Sequence, residues 1–516
     1  MRLDKLPRVD EAFYRHISRN DAPTCVEGSR DGLLEKIKSW STAESSSSQP
    51  IFWLTGIAGT GKSTVAQTVC QKAADTKNLG ATFFFSHQEK QLHLANAVFS
   101  TLVHQMLSNA SCPRSIRLNL NQALEQNPSA GSEVIKTQFE KLILEPLKTI
   151  SHASPLLLVL DALDECTESG VVEILNLIKT HIQELPSFLK IFVTSRPEGH
   201  ISAILRNMYR DSAKTERLVF IYEIDPSADE EAVQAYLTHA LSESEIKRVF
   251  PGIVEWKIDA DKIGILARKS EGLFIVASTI VKHIMLPGSA DPEFQLDTLI
   301  EGLQSTTHTH SAINLLYQQI LDAKYSPGED ARILERFRKV VGSIILLFEP
   351  PSVESLGQLL QEPSKNTVPS ALHRLQSVVA VTEADQLLRS LHPSFTEFLT
   401  NRDVCPPRFY VDTEAQHSLL ARCCCNTMIR LFKDPRPISD INITPEIDYA
   451  LCFWDDHLVA SSADNREEFL EFLRNFLKNN VAKWLSALAR AKRFNQAIPS
   501  IKSAHSWVVS GVELHL

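Results

Sequence analysis

Apolar residues along the first half of the chain gather in short runs set far apart. Residues 51–55, 81–85, 156–160 and 191–194 are continuous apolar or β-branched stretches, with 218–222 as a fifth. Runs of roughly four to eight such residues read as strands buried on both faces. Between them apolar positions recur every three or four residues, as in Leu94, Val98, Leu102, Val103 and Met106, which is the spacing of one helix face. Strands alternating with long helical connections predict an α/β fold built on a parallel five-stranded sheet.

From Asp225 onward the pattern turns helical. Leu273, Ile275, Val276, Thr279, Ile280 and Ile284 predict a buried helix that is apolar on nearly all sides. Over about 310–402 helical spacing resumes, and residues 378–382 and 387–391 flank a polar turn at 383–386, which reads as one hairpin. Helices closed by a hairpin have the layout of a winged helix. Farther on, Phe469, Phe472, Leu473, Phe476 and Leu477 share one helix face, with Trp454 and Trp484 on neighbouring segments, so the end of the chain reads as all-helical. No repeat of about 20–50 residues is visible.

Composition narrows the class without naming it. At 516 residues the chain exceeds one hydrophobic core, since domains run to about 100–200 residues. Acidic residues outnumber Lys plus Arg by 62 to 53, which argues against a basic nucleic-acid face. The nine cysteines show no zinc-finger spacing and no disulfide framework. The three at 423–425 read as small buried hydrophobes, because consecutive helical residues cannot all face one ion. His308 and His310 alternate with threonines in a segment that reads as a solvated linker. Charges at Arg2, Asp4, Lys5, Arg8, Asp10 and Glu11 break up the start of the chain, and no apolar run approaches the ~20 residues of a membrane span. The expectation is a cytoplasmic protein without a membrane span.

One segment carries specific chemistry. Gly56-Ile-Ala-Gly59-Thr60-Gly61-Lys62-Ser63-Thr64 fits G-x-x-x-x-G-K-[ST] and lies between the first predicted strand and a predicted helix over 63–74. In such a loop glycines let successive backbone N–H groups turn inward around a phosphate, and the helix N-terminus adds partial positive charge. Lys62 is placed to reach β- and γ-phosphate oxygens, and Ser63 to offer a hydroxyl to Mg²⁺. The third strand runs into Asp161-Ala-Leu-Asp164-Glu165. Asp161 is placed to orient Mg²⁺, a hard cation that prefers carboxylate and water oxygens. Asp164 and Glu165 either position the water that attacks the γ-phosphate, with Glu165 the first choice as base, or cap the helix that follows. The fourth strand ends in Thr194-Ser195-Arg196-Pro197, which puts a guanidinium at the same sheet edge, where it either senses the γ-phosphate or sits at the surface before a helix.

The order of these three motifs resembles the NACHT branch of the STAND signalling NTPases, in particular fungal proteins with a nephrocystin-like P-loop domain. The resemblance runs over nearly the whole chain. Cys25-Val-Glu-Gly28-Ser-Arg30, followed by Leu33, Ile37 and Trp40, is similar to the family's lead-in segment, which packs near the adenine ring in relatives. Gly272-Leu-Phe-Ile-Val-Ala277 resembles its lid-helix signature, and Ser390-Leu-His392-Pro-Ser-Phe395-Thr-Glu-Phe398-Leu resembles its winged-helix end motif. The resemblance implies nucleotide contacts from Arg30 and from His392, whose counterpart meets the ADP β-phosphate; from the residues alone, His392 reads equally as a packed structural histidine. Two departures stand out: Ala162 occupies a place where many relatives have Gly, and the repeats that usually follow are missing. The residues ahead of the lead-in do not read as an effector domain of recognisable type.

The expected organisation is a lead-in segment and Ser-rich hinge at 1–48, a P-loop nucleotide-binding domain at 49–224, a helical lid at 225–305, a winged helix at 306–402 and a helical end domain at 403–516. The resemblance implies a signalling switch that binds ATP or ADP with Mg²⁺, hydrolyses slowly, self-associates in the ATP state and acts on a protein effector, with self/non-self recognition or cell death as the output in fungal relatives. A scaffold that binds nucleotide permanently and a small-molecule kinase are the rival readings.

Overall fold

Alternation of side chains along each strand builds two cores, one on either face of a single sheet. The computed structural model describes residues 6–16, 23–43, 49–86, 95–150, 154–210, 218–253, 255–285, 291–305, 312–325, 328–362, 364–375, 378–381, 387–390, 392–462 and 466–510. The chain divides into two compact units, Met1–Thr307 and His308–Leu516. In the first unit β1 (Ile51–Thr55), β2 (Leu79–Phe84), β3 (Leu156–Asp161), β4 (Leu189–Ser195) and β5 (Val219–Glu223) form a five-stranded sheet in the order β2-β3-β4-β1-β5. Every pairing is parallel.

Because side chains point alternately to opposite faces, Trp53, Phe83, Leu158, Leu160, Ile191 and Val193 pack into one cluster, and Phe52, Leu54, Phe84, Leu157, Val159 and Phe192 into the other. The second cluster takes in Leu33, Leu34, Ile37 and Trp40 of α1 (Asp31–Ser41) and Val65, Ala66 and Val69 of α2 (Lys62–Asp75). Burying each large apolar side chain of this set contributes about 1.5–3 kcal/mol, so α1 is part of the same core as α2. Strand β2 begins earlier than its apolar run, at Leu79, since Leu79 already pairs with Leu157. Gly80 lies at a shift of register between Leu79 and Ala81, where an added Cβ would come within 2.9 Å of Leu156 Cγ.

After β5 the first unit continues as helices, among them Glu230–Ala240, Ala260–Lys269 and Phe274–Ile284. The last is the predicted apolar helix, with Val276, Thr279, Ile280 and Ile284 buried. Ile275 turns instead toward Gly59, where an added Cβ would lie 2.1 Å from Ile275 Cγ2. The Ser-rich stretch at 44–48, Leu94, His308 and His310 lie outside the described residues.

The second unit is mostly helical. Helices Ala331–Leu346, Val353–Leu359 and Thr367–His373 precede an antiparallel pair, β6 (Val379–Val381) and β7 (Leu388–Ser390), whose connecting turn at 382–386 is outside the described residues. In the C-terminal part Trp454, Phe476 and Trp484 are fully buried against one another, with ring centroids 5.3–6.3 Å apart. Leu477 does not join them. It is 57% exposed, whereas Phe469, Leu473 and Phe476 of helix Arg466–Asn479 are buried and the half-buried Phe472 packs its ring on Trp454 and Phe476. Cys423, Cys424 and Cys425 are buried in helix Thr413–Lys433, and burial pushes the Cys423 thiol up to about 11.

A chain of hydrogen bonds crosses this packing. Phe348 N donates to Tyr449 Oη at 3.1 Å, Tyr449 Oη lies 2.8 Å from His457 Nε2, and His457 Nδ1 lies 2.8 Å from His417 Nδ1. His457 is fully buried. With Tyr449 donating to Nε2, the ring proton of His457 sits on Nδ1 and is given to His417 Nδ1. A second proton on His417 would confront that N–H, and burial already lowers its pKa from the ordinary value. The unfolded chain therefore binds more protons here, and stability is lost as pH falls below about 6.5. His417→Gln is expected to flatten part of the fall in urea midpoint between pH 7 and pH 5; an unaltered pH profile would contradict this assignment.

Candidate functional site

The C-terminal ends of β1, β3 and β4 lie side by side, since β4 pairs with both of the others. Ligands in parallel α/β sheets bind beyond this edge. The loop leaving β1 turns through Gly59 at φ +81° and Gly61 at φ +83° before α2 begins at Lys62. Both glycines occupy the left-handed region that disfavours a Cβ. Gly56 is confined as well, an added Cβ there lying 3.1 Å from both Ile224 Cβ and Thr60 Oγ1. Thr60 Oγ1 donates to Ile57 O at 3.0 Å and so closes the loop on itself. Ser63 is exposed and Thr64 half-buried in the first turn of α2.

Lys62 is the cation of this loop. Its ammonium donates to Gly56 O at 2.7 Å and Ile57 O at 2.9 Å. Burial lowers its pKa to about 8, the Asp164 carboxylate works against that shift, and the Arg196 guanidinium adds to it. Asp161 and Glu165 act on the same ammonium more weakly. The three strand ends therefore place two cations and three carboxylates within electrostatic reach of one another.

Each acid is held differently. Asp161 is buried and accepts a hydrogen bond from Thr194 Oγ1 at 2.6 Å. The same Thr194 oxygen accepts from Ala162 N at 2.9 Å. Ala162 sits at φ +55°, ψ +48°, a left-handed conformation that suits the glycine expected at this place and costs an alanine about 1–2 kcal/mol. Thr194 thus fixes the carboxylate and the strained turn after it. Asp164 accepts from Arg196 N at 3.0 Å and pairs with Arg196 Nε at 3.2 Å. Glu165 is half-buried in the turn Leu163–Glu165. Neither Asp164 nor Glu165 caps the next helix, Glu168–His181; Thr167 does, accepting from Gly170 N.

Arg30 reaches this region from the lead-in segment. Its guanidinium donates to Thr60 O at 2.8 Å, pairs with Asp229 at 2.7 Å and lies 4.7 Å from the centre of the Phe274 ring. Burial raises the Asp229 pKa and the Arg30 charge opposes the rise. Ile275 N donates to Gly59 O at 3.0 Å. The lead-in segment and helix Phe274–Ile284 are therefore both bonded to the loop. Just ahead of that helix Gly272 has φ +70° and lies against Pro226, whose O would be 1.8 Å from an added Cβ. His392 belongs to the second unit, where it caps helix Pro393–Thr400: its Nδ1 accepts from Ser394 N at 3.1 Å, and Ser394 Oγ is 2.9 Å from Tyr317 Oη.

The donor set fits a phosphate tail with a hard cation. The loop has room for backbone only at its glycines, Lys62 supplies a half-buried charge, and the Asp161 carboxylate and Ser63 hydroxyl would supply oxygen ligands to an ion that keeps much of its water. Among the described residues no group of three or more His, Cys, Asp and Glu could hold a metal by itself. No helix of the described residues is long and apolar enough to cross a membrane.

Residues 28–196 match the family described as Nephrocystin 3, N-terminal. The match covers less than half of the chain and runs from the lead-in segment to Arg196. No curated protein matches the chain. Among solved structures it is similar to a STAND protein with a tetratricopeptide repeat sensor from Pyrococcus horikoshii, with TM-score 0.40 and 13% identity over 98% of this chain and 60% of that one. A Walker-type ATPase of Pyrococcus abyssi gives 0.32 and 13% over 73% and 97%. Cdc6p from Pyrobaculum aerophilum gives 0.30 and 14% over 74% and 95%. The chain thus spans 60% of the length of the first of these structures.

Asp229 lies outside every motif read from the sequence, while Thr194 and Phe274 stand inside such motifs with no role assigned to them. Thr194 stands inside the quoted strand-end motif, but only the pairing of β3 with β4 shows what its hydroxyl holds. Thr194→Val keeps the shape and leaves the Ala162 N–H and one bond of Asp161 unmet, each costing about 1–3 kcal/mol. Urea unfolding is expected to show a loss of about 2–4 kcal/mol, and a change under about 0.5 kcal/mol would refute the role given to Thr194.

Proposed function

We propose that the chain is a nucleotide-dependent switch that binds the phosphate tail of ATP or ADP, with Mg²⁺, in the loop between β1 and α2. One observation carries this reading: a loop with two left-handed glycines joins a buried strand to a helix that starts at a half-buried lysine, with acid and guanidinium on the adjoining strand ends. Backbone N–H groups of Gly59 to Thr64 and the start of α2 would face the β-phosphate. Lys62 would exchange Gly56 O and Ile57 O for phosphate oxygens, and Ser63 and Asp161 would hold the ion. Bound Mg²⁺ supplies neutralisation of the phosphate oxygens. Arg196 would meet the third phosphate, and Glu165 would hold the attacking water, so slow hydrolysis accompanies binding.

The bonds from the loop to Arg30 and to Ile275 N support a switch over a static binding protein. A loop that changes shape around a ligand must carry Thr60 O and Gly59 O with it, and those carbonyls hold the lead-in segment and helix Phe274–Ile284. The extent of switching equals the difference in affinity of the two nucleotides for the two conformations. Self-association in the ATP state and action on a protein effector complete this reading as a signalling protein.

Titration calorimetry of the purified chain is expected to show ADP binding that depends on Mg²⁺ and falls at least about a hundredfold in Lys62→Ala. Equal affinity in parent and variant would exclude the loop as the site. Hydrolysis is expected to drop about 10²–10⁴-fold in Glu165→Gln; parental turnover in that variant would remove Glu165 from the chemistry and favour a scaffold that merely holds nucleotide.

A further inference from the structure

Asp164 is set where a water-holding carboxylate is expected, yet both of its oxygens serve Arg196. Oδ1 accepts the Arg196 backbone N–H at 3.0 Å and Oδ2 pairs with Nε at 3.2 Å. The Asp164 side chain is only 7% exposed and that of Arg196 25%. An exposed pair of this kind contributes little. A carboxylate this buried must instead be matched by donors, and a fixed geometry follows. Pro197 restricts the backbone of Arg196 to extended conformations, so the main chain of the arginine is held from one side by the ring and from the other by Oδ1.

A guanidinium carries five N–H donors in a rigid plane. Fixing Nε therefore sets the direction of the four on the terminal nitrogens. That direction matters here because Ser195 pairs with Thr55, the last residue before the phosphate loop, so Arg196 leaves β4 beside the start of that loop. Asp164 lies on the turn after β3 and Arg196 at the end of β4, the strand between β3 and β1. The acid thus spans from one strand end to the next to hold a cation beside the loop.

We propose that Asp164 is a positioning residue, which aims Arg196 at the third phosphate of a nucleoside triphosphate and thereby sets the preference of the site for triphosphate over diphosphate. The proposal rests on the nucleotide reading above and assigns Asp164 no part in holding water. A diphosphate ends short of Arg196 and is indifferent to its aim. A triphosphate gains from it by an amount that falls when the guanidinium is free to turn away.

The test measures affinities of the full chain for Mg·ADP and for a non-hydrolysable ATP analogue with Mg²⁺, in the parent, Asp164→Asn, Arg196→Gln and the double variant. Asp164→Asn is expected to lower the ratio of analogue affinity to ADP affinity about tenfold, within the 5–150-fold span of site couplings. Arg196→Gln is expected to lower it at least as far, and adding Asp164→Asn to Arg196→Gln to change it by less than about twofold. A purely structural acid would weaken both ligands together and leave the ratio in place, which overturns the proposal. So does an equal loss from Asp164→Asn with and without Arg196, which marks an acid acting on its own. Should Asp164→Asn fail to fold, Arg196→Lys decides: it keeps the charge and lacks Nε, so it must lose the ratio, and retention overturns the proposal. A parent that binds neither nucleotide overturns the nucleotide reading and this one with it; ADP binding with an unmoved ratio overturns this one alone.

Discussion

The turn from β1 into α2 is the constraint around which the first unit is arranged. Its backbone passes twice through the left-handed region, at Gly59 and Gly61, and emerges as a helix N-terminus. Such a path concentrates N–H groups and partial positive charge in one concavity. It also leaves carbonyls that must be met. Lys62 takes those of Gly56 and Ile57, Arg30 that of Thr60, and the first turn of helix Phe274–Ile284 that of Gly59. The loop is therefore bonded to its own helix, to the lead-in segment and to the helices after β5, and no change in its shape is local.

Electrostatics at the strand ends follow from the same arrangement. Lys62 loses solvation and much of its proton affinity in this site, and the carboxylates of Asp164, Asp161 and Glu165 restore part of it. Two of these acids are anchored by neighbours on the sheet, Asp161 by Thr194 and Asp164 by Arg196. Fixed dipoles and charges in a low-dielectric cleft need little reorganisation when a charged ligand arrives. The left-handed Ala162 shows the cost of keeping the turn after Asp161 tight without glycine, a strain held in place by the Thr194 hydroxyl.

Much of this was legible in the amino-acid sequence because it is local. Five apolar runs become the five strands, and the glycine spacing between 56 and 61 places the loop where a strand meets a helix. What could not be read depends on residues far apart in the chain. Arg30 meets Asp229 and Phe274 across about two hundred residues or more, and no periodicity encodes such a meeting. The Asp164 carboxylate looks like a helix cap until Thr167 is seen to do that work. Helical spacing put Leu477 on the packed face, but the apolar stripe is one residue wider than the surface it covers, and Leu477 is left outside. The histidine pair of the second unit joins two helices whose sequences carry no sign of it.

Hydrogen exchange at the backbone amides of residues 59–64 tests the central claim most directly, since those groups are the proposed ligands of the phosphate. Adding Mg·ADP is expected to slow exchange there at least about tenfold, with protection spreading to the lead-in around Arg30 and to the start of helix Phe274–Ile284. Exchange in the loop that is the same with and without nucleotide, at concentrations that saturate any binding found, would contradict the account.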